Sequence, residues 1–164
     1  MAGLPWGGSE ELWCQAAHVL LARGHEVAFS SLKWSPTPAP LERLIAAGGA
    51  PPFPRRSMFG RPILRNLEKA GAIPHHFSRW LKRTRPDVVV ISLSCHTDDP
   101  KIAATCRQLG IRYVILLQAA NPYLWVANKW LDDARDDFTE ADRCFFVSAE
   151  NQDIMEANLA AALP

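Results

Sequence analysis

The chain has 164 residues, 48% of them hydrophobic and 21% charged, a balance that suits one ordinary globular domain and excludes a disordered or fibrous protein. Its 18 Lys and Arg against 17 Asp and Glu leave a formal charge of +1, so no global field recruits nucleic acid and no nucleic-acid partner is expected. The longest uncharged stretch, Tyr113 to Asn128, is interrupted by Gln118, Asn121 and Pro122, which excludes an ordinary membrane span.

The start, Met1-Ala2-Gly3-Leu4-Pro5, lacks the basic and apolar regions of a secretory signal, and a cytoplasmic location is expected. Ser9 caps a helix predicted to run to Arg23. Glu10 and Glu11 favour its first turn, and Leu12, Ala16, Val19 and Leu20 form its apolar stripe. Gly24 stops it, and Glu26 to Leu32 reads as a strand. Ser35 to Pro40 is too rich in proline to continue that strand. A short helix is predicted over Leu41 to Ala47, a loop over Pro51 to Pro62, and helices over Ile63 to Ala70 and Pro74 to Thr84.

Asp87 to Ser94 (DVVVISLS) is the clearest strand. Its near-continuous β-branched character predicts burial on both faces, as in a parallel sheet covered by helices. Asp98 or Asp99 caps the next helix, Pro100 takes its first position and Gly110 ends it. The remaining expectations are a strand over Tyr113 to Gln118, a helix over Asn128 to Ala141, a strand over Cys144 to Ser148 and a helix over Asn151 to Leu163. Strands and helices alternating in this way predict an α/β fold, a Rossmann-like parallel sheet with helices on both faces.

Charge is uneven along the chain. Arg55 to Arg85 holds nine Lys or Arg against Glu68 alone, a net +8, whereas Lys129 to the C-terminus has three bases against nine acids, a net −6. The helix with Arg79, Lys82, Arg83 and Arg85 beside Phe77, Trp80 and Leu81 leaves two readings open. Its apolar side packs on a core and its basic side is solvated, or the basic stretch rests on the anionic inner face of a membrane as a peripheral contact.

The informative constellation is Leu4-Pro5-Trp6-Gly7-Gly8-Ser9-Glu10-Glu11. Two glycines directly before a helix let a ligand approach the backbone, and the first-turn N–H groups carry partial positive charge that favours phosphate; a flexible turn is the plainer reading. Around it stand Leu21-Ala22-Arg23-Gly24-His25-Glu26-Val27, Arg85-Pro86-Asp87-Val88-Val89-Val90 and Ala141-Asp142-Arg143-Cys144-Phe145-Phe146-Val147-Ser148. In order and spacing these segments resemble the N-terminal half of GT-B glycosyltransferases of family 4.

That resemblance implies two Rossmann-like domains facing across a cleft, of which residues 1–164 form the N-terminal, acceptor-side domain. It implies a retaining reaction that transfers a sugar from a nucleotide-diphosphate sugar to a hydroxyl acceptor, with no metal and no other cofactor. Gly7, Gly8, Ser9 and Glu10 would then lie near the donor diphosphate. Many relatives place a histidine after the strand matching Tyr113 to Leu117; here that position is Gln118, in Gln118-Ala119-Ala120-Asn121-Pro122, able to hydrogen-bond sugar hydroxyls but not to supply a titrating proton. His96, Gln118 and Asn121 are the candidate acceptor or sugar contacts. The family's first, central strand should precede Gly7, and its donor-side domain should follow Pro164. The expectation is therefore a fragment without its first strand and without the donor domain's paired glutamates, inactive by itself.

Other candidates complete the reading. Cys14, Cys95, Cys106 and Cys144 are far apart, with no zinc-like spacing, and read as small buried hydrophobes. His75-His76 lacks a ligating companion. Trp6 and Trp125 fall in loops where a sugar-stacking ring is conceivable, whereas Trp13, Trp80 and Trp130 fall on helical stripes expected in the core. Asp132, Asp133, Asp136, Asp137 and Glu140 space as one exposed helix face. Two alternatives to sugar transfer remain: a standalone Rossmann-like module binding a phosphate ligand, and a cysteine hydrolase acting through Cys95 at the end of the DVVVISLS strand.

Overall fold

A computed structural model of the chain describes residues 6–31, 35–54, 76–95 and 101–164. The fold is mixed α/β with parallel sheets, the Rossmann-like class that the alternating pattern predicts. It divides into two compact units, Met1–Pro74 and His75–Pro164.

In the first unit, α1 (Gly8–Ala22) leads to β1 (Ser30–Ser31), α2 (Ala39–Ala46) and β2 (Phe53–Pro54). Helix α1 ends as its sequence demands. Gly24 turns left-handed at φ +83°, its N–H donates to Leu21 O at 2.9 Å, and the His25 N–H reaches back to Leu20 O at 3.1 Å. This pairing satisfies carbonyls that the last helical turn leaves open. Helix α2 closes in the same way through Gly48 and Gly49, whose N–H groups donate to Ile45 O and Leu44 O.

Of the strand expected over Glu26 to Leu32, the described residues place Ser30 and Ser31 in a ladder, in parallel register with Phe53 and Pro54, and Leu32 lies outside them. Backbone bonds from Ala50 N to Val27 O and from Phe53 N to Phe29 O extend the association upstream. The partner segment carries Pro51, Pro52 and Pro54, which have no N–H to donate to the ladder. Cys14, Ala17, Phe29, Leu41 and Leu44 form this unit's core, with Trp6, Trp13, Leu21 and Val27 packed against it. Helix α1 therefore buries the side with Trp13, Cys14, Ala17 and Leu21, and the stripe expected of it, Leu12, Ala16, Val19 and Leu20, is exposed instead.

The second unit runs α3 (His76–Thr84), β3 (Val89–Leu93), α4 (Lys101–Leu109), β4 (Tyr113–Leu117), α5 (Asn128–Thr139), β5 (Arg143–Phe146) and α6 (Ala149–Leu159). Its sheet is parallel in the order β3-β4-β5, with Val89 opposite Tyr113, Leu93 opposite Leu117 and Val114 opposite Arg143. Alternation along the strands sends Ile91, Leu93, Tyr113, Ile115 and Leu117 to one face. There they meet Leu81, Ala103, Cys106, Phe138, Met155 and Leu159 from the helices. The opposite face is not buried as the β-branched run predicts: it carries Val90, which is 53% exposed, together with Phe145 and Val147, because the described helices of this unit all pack on the first face. Helix α4 ends at Gly110 (φ +65°) with the same two-bond closure as α1 and α2. Helix α6 stops at Leu159, four residues before the expected Leu163, because Ala160 adopts φ +49° and ends the helical path.

The expected helix over Ile63 to Ala70, the capping Asp98 or Asp99 and Pro100, His75, Trp34 and most of the basic stretch from Arg55 lie outside the described residues. Within α3, Leu81 is buried and Phe77 and Trp80 pack on the core, while Arg79, Lys82 and Arg83 point to solvent. The apolar side of that helix is thus taken up by its own unit.

Candidate functional site

The glycine turn lies at the head of α1, where Gly7 takes the capping position expected of Ser9, and Ser9 lies within the first turn. Gly7 is extended, and the Glu10 carboxylate folds back over it: Oε2 accepts from the Gly7 N–H at 3.1 Å and from the Ser9 hydroxyl at 2.7 Å. A carboxylate at the third helical position satisfies a donor that the helix itself cannot and sits favourably in the positive end of the dipole. Gly7 is therefore screened by its own chain. At Gly8 a Cβ would meet nothing within 4 Å among the described residues, whereas one at Gly7 would stand 3.2 Å from Glu10 Oε2.

Trp6 does not project as a free ring. Its indole N–H donates to Glu11 Oε2 at 3.0 Å, and its ring lies 6.1 Å from Trp13, which in turn packs 5.7 Å from Phe29. The hydrogen bond from Trp6, joined by one from Gln15, holds the Glu11 carboxyl below its ordinary range. Trp6 locks the start of α1 onto the core.

In the second unit the segment after β4 is held from several sides. The Gln118 N–H donates to Leu93 O at 3.1 Å, and its side-chain amide donates to the Ser92 hydroxyl at 3.1 Å, so Gln118 ties the ends of β4 and β3 together. Asn121 builds a turn: its Oδ1 accepts from Tyr123 N at 2.9 Å and its carbonyl from Leu124 N at 3.1 Å, with Pro122 at the position whose fixed φ suits such a turn. His96 lies outside the described residues.

Two residues that the sequence reading passed over complete this segment. Asn151 accepts from Ala120 N at 3.1 Å and donates to Gln118 O at 3.3 Å, while Asn158 accepts from Val126 N at 3.3 Å and donates to Ile154 O at 3.0 Å. Both belong to α6, seven residues apart and hence on one side of the helix. Asparagine is a poor interior helix former, so two at that spacing are a legible sign of side chains employed on neighbouring backbone. Between these anchors the loop presents Tyr123, Leu124 and Trp125 to solvent.

The family model for Glycosyltransferase Family 4 matches residues 6–161. The chain belongs to that family. No curated protein and no solved structure gives a significant match.

In this family 4 chain the cysteines divide by environment. Burial pushes the Cys106 thiol up to about 11 and the Cys144 thiol up to about 12, and it also raises Cys14, whose Sγ lies 3.6 Å from Pro40 O. These three behave as core side chains. Cys95 is half-buried, two residues past the end of β3. The acidic row of α5 is not one solvated face: Asp137 is buried, its carboxylate bonded to Arg107 and its carbonyl accepting from the Tyr113 hydroxyl at 2.8 Å. Burial opposes the Arg107 charge, yet hydrogen bonds to Tyr113 and Asp137 hold its pKa above the ordinary value. Trp130, expected in the core, is 41% exposed with the Lys129 ammonium 5.2 Å from its ring centroid. Among the described residues no group of three His, Cys, Asp or Glu converges as a metal site, and no helix is long and apolar enough to cross a membrane.

Proposed function

We propose that these residues form the acceptor-side half of a retaining GT-B glycosyltransferase, which moves a sugar from a nucleotide-diphosphate sugar to a hydroxyl acceptor. The observation that carries this reading is the open space over Gly8 at the head of α1, in a chain of Glycosyltransferase Family 4. Cleaving the sugar–phosphate bond builds negative charge on the departing diphosphate. Backbone N–H groups at the start of a helix stabilise that charge, with the Gly7 N–H joining once Glu10 has moved off it. The reading uses no metal ion, because these amides and the helix dipole take the charge.

Glu10 enters the same account as a resident anion. Its carboxylate lies on the Gly7 N–H, and a diphosphate that uses this amide displaces it by a side-chain rotation. On the acceptor side His96, Gln118 and Asn121 are the proposed contacts, with Gln118 offering hydroxyl hydrogen bonds rather than a proton. The basic stretch Arg55–Arg85 is proposed to meet an anionic surface by charge alone, since Phe77, Trp80 and Leu81 are engaged in the core.

Titration of the ¹⁵N-labelled chain with inorganic pyrophosphate tests the central point. The Gly8 amide should shift in a saturable way, and Glu10→Gln should tighten binding several-fold by removing the competing charge. An unmoved Gly8 resonance at saturating pyrophosphate would remove the basis of the assignment. The chain alone should not transfer sugar, and turnover by it would contradict the acceptor-half reading. Hydrolysis through Cys95 would need an esterase or amidase activity that disappears in Cys95→Ser.

A further inference from the structure

The segment between β4 and α5 combines two properties that rarely coincide. Tyr123 is 88% exposed and Trp125 is 64% exposed, with Leu124 open between them. Yet the backbone that carries them is fastened at both ends, by Asn151 at Ala120, by the Asn121 turn at Tyr123 and Leu124, and by Asn158 at Val126. Large rings left in water on a secured loop are uncommon on a monomer surface unless something covers them. The loop also leaves the carboxyl end of a parallel strand, where open α/β sheets take up ligands.

We propose that Tyr123 and Trp125 form a stacking platform for a pyranose ring of the acceptor, an inference that rests on the sugar-transfer reading above. A sugar ring has an apolar C–H face that desolvates well against an aromatic face, and a rim of hydroxyls that stay hydrated or meet amides. Tyr and Trp give such a surface broad contact area with few rotatable bonds. The loop anchors lower the ordering cost of binding, because the backbone is already held in one shape.

Charge favours a neutral glycan over the main rival, an anionic lipid surface. Residues 118–127 carry no charge at all, and the adjoining α5 exposes Asp132, Asp133 and Asp136 against Lys129 and Arg135. An acidic neighbourhood repels phosphatidylserine or phosphatidylglycerol headgroups and leaves neutral hydroxyls unaffected.

The test uses the uniformly ¹⁵N-labelled intact chain, whose six tryptophan indole N–H signals include Trp125, assigned through Trp125→Phe. It is titrated with the methyl glycosides of glucose, mannose, galactose and N-acetylglucosamine, and separately with phosphatidylcholine vesicles containing phosphatidylglycerol. At least one glycoside should shift the Trp125 indole saturably in the millimolar range. Tyr123→Ala and Trp125→Ala should each weaken that binding at least fivefold with unchanged circular dichroism, and Trp125→Phe, which keeps a ring, should weaken it less. Four glycosides that leave the Trp125 signal in place overturn the proposal. So does vesicle co-sedimentation abolished by Trp125→Ala, which would make the loop a lipid contact, or a dimer that the same substitution dissociates. The pyrophosphate response at Gly8 is read on the same sample. A glycoside shift without it keeps the platform and removes the transferase reading; the converse keeps the transferase and removes the platform.

Discussion

At the residue scale the arrangement around Asp137 is the most demanding. Its side chain is 6% exposed and bonded to Arg107, while Arg107 also approaches Glu140 at 3.4 Å. Removing one member of a buried ion pair leaves the other charged and unsatisfied, so Asp137→Ala should cost about 3 kcal/mol in urea unfolding. The double variant Arg107→Met with Asp137→Leu should recover most of that loss, because no charge then stays behind. The sequence placed Asp137 in a solvated row since helical spacing shows only which residues share a face, and Arg107 lies thirty positions away. Cys144 supplies a pH signature. Its folded thiol ionises only near 12 against an ordinary 9.0, so the unfolded chain loses that proton first. Its contribution to stability is complete below pH 9 and declines from there towards pH 12, and Cys144→Ala should flatten this part of the stability profile relative to the parent.

At the scale of elements, the ends of the helices were more legible than their partners. Gly24 and Gly110 announced helix stops because only glycine takes positive φ without a steric cost, and both stand there. Ala160 occupies the equivalent position of α6 at φ +49°, with Ala160 N on Ala157 O and Ala161 N on Glu156 O, and nothing in its identity signals a stop. Ala160→Gly should therefore stabilise the fold by about 1 kcal/mol, measured as a rise in Tm, and Gly110→Ala should cost a similar amount. The pairing of β1 was equally hidden, because its partner is a proline-rich segment more than twenty residues downstream. Of the candidate site, the Gly7-Gly8 turn was readable from its place before a helix. The Glu10 carboxylate resting on it depends on side-chain direction, and the spacing of Asn151 and Asn158 marks one side of a helix without naming the 118–127 loop as its partner, which only tertiary contact supplies.

At the scale of the whole molecule the two units differ in what holds them. Among the described residues, β1 and β2 of the first unit pair at two positions over a core of five buried side chains, while in the second β4 is flanked on both edges by paired strands over a larger cluster. Hydrogen exchange under native conditions should follow this division: amides of Tyr113–Leu117 slowest of all, and the Phe53 amide released through a lower-energy local opening. Equal protection at the two places would mean that the units unfold as one. The sheet of the second unit has a further practical meaning, because its helices gather on one side and Val90, Phe145 and Val147 remain open on the other. Attraction between such bare hydrocarbon strips strengthens on warming. Concentrated solutions of the isolated chain should accordingly stay clear in the cold and turn cloudy at temperatures well below unfolding, and chilling should clear them again.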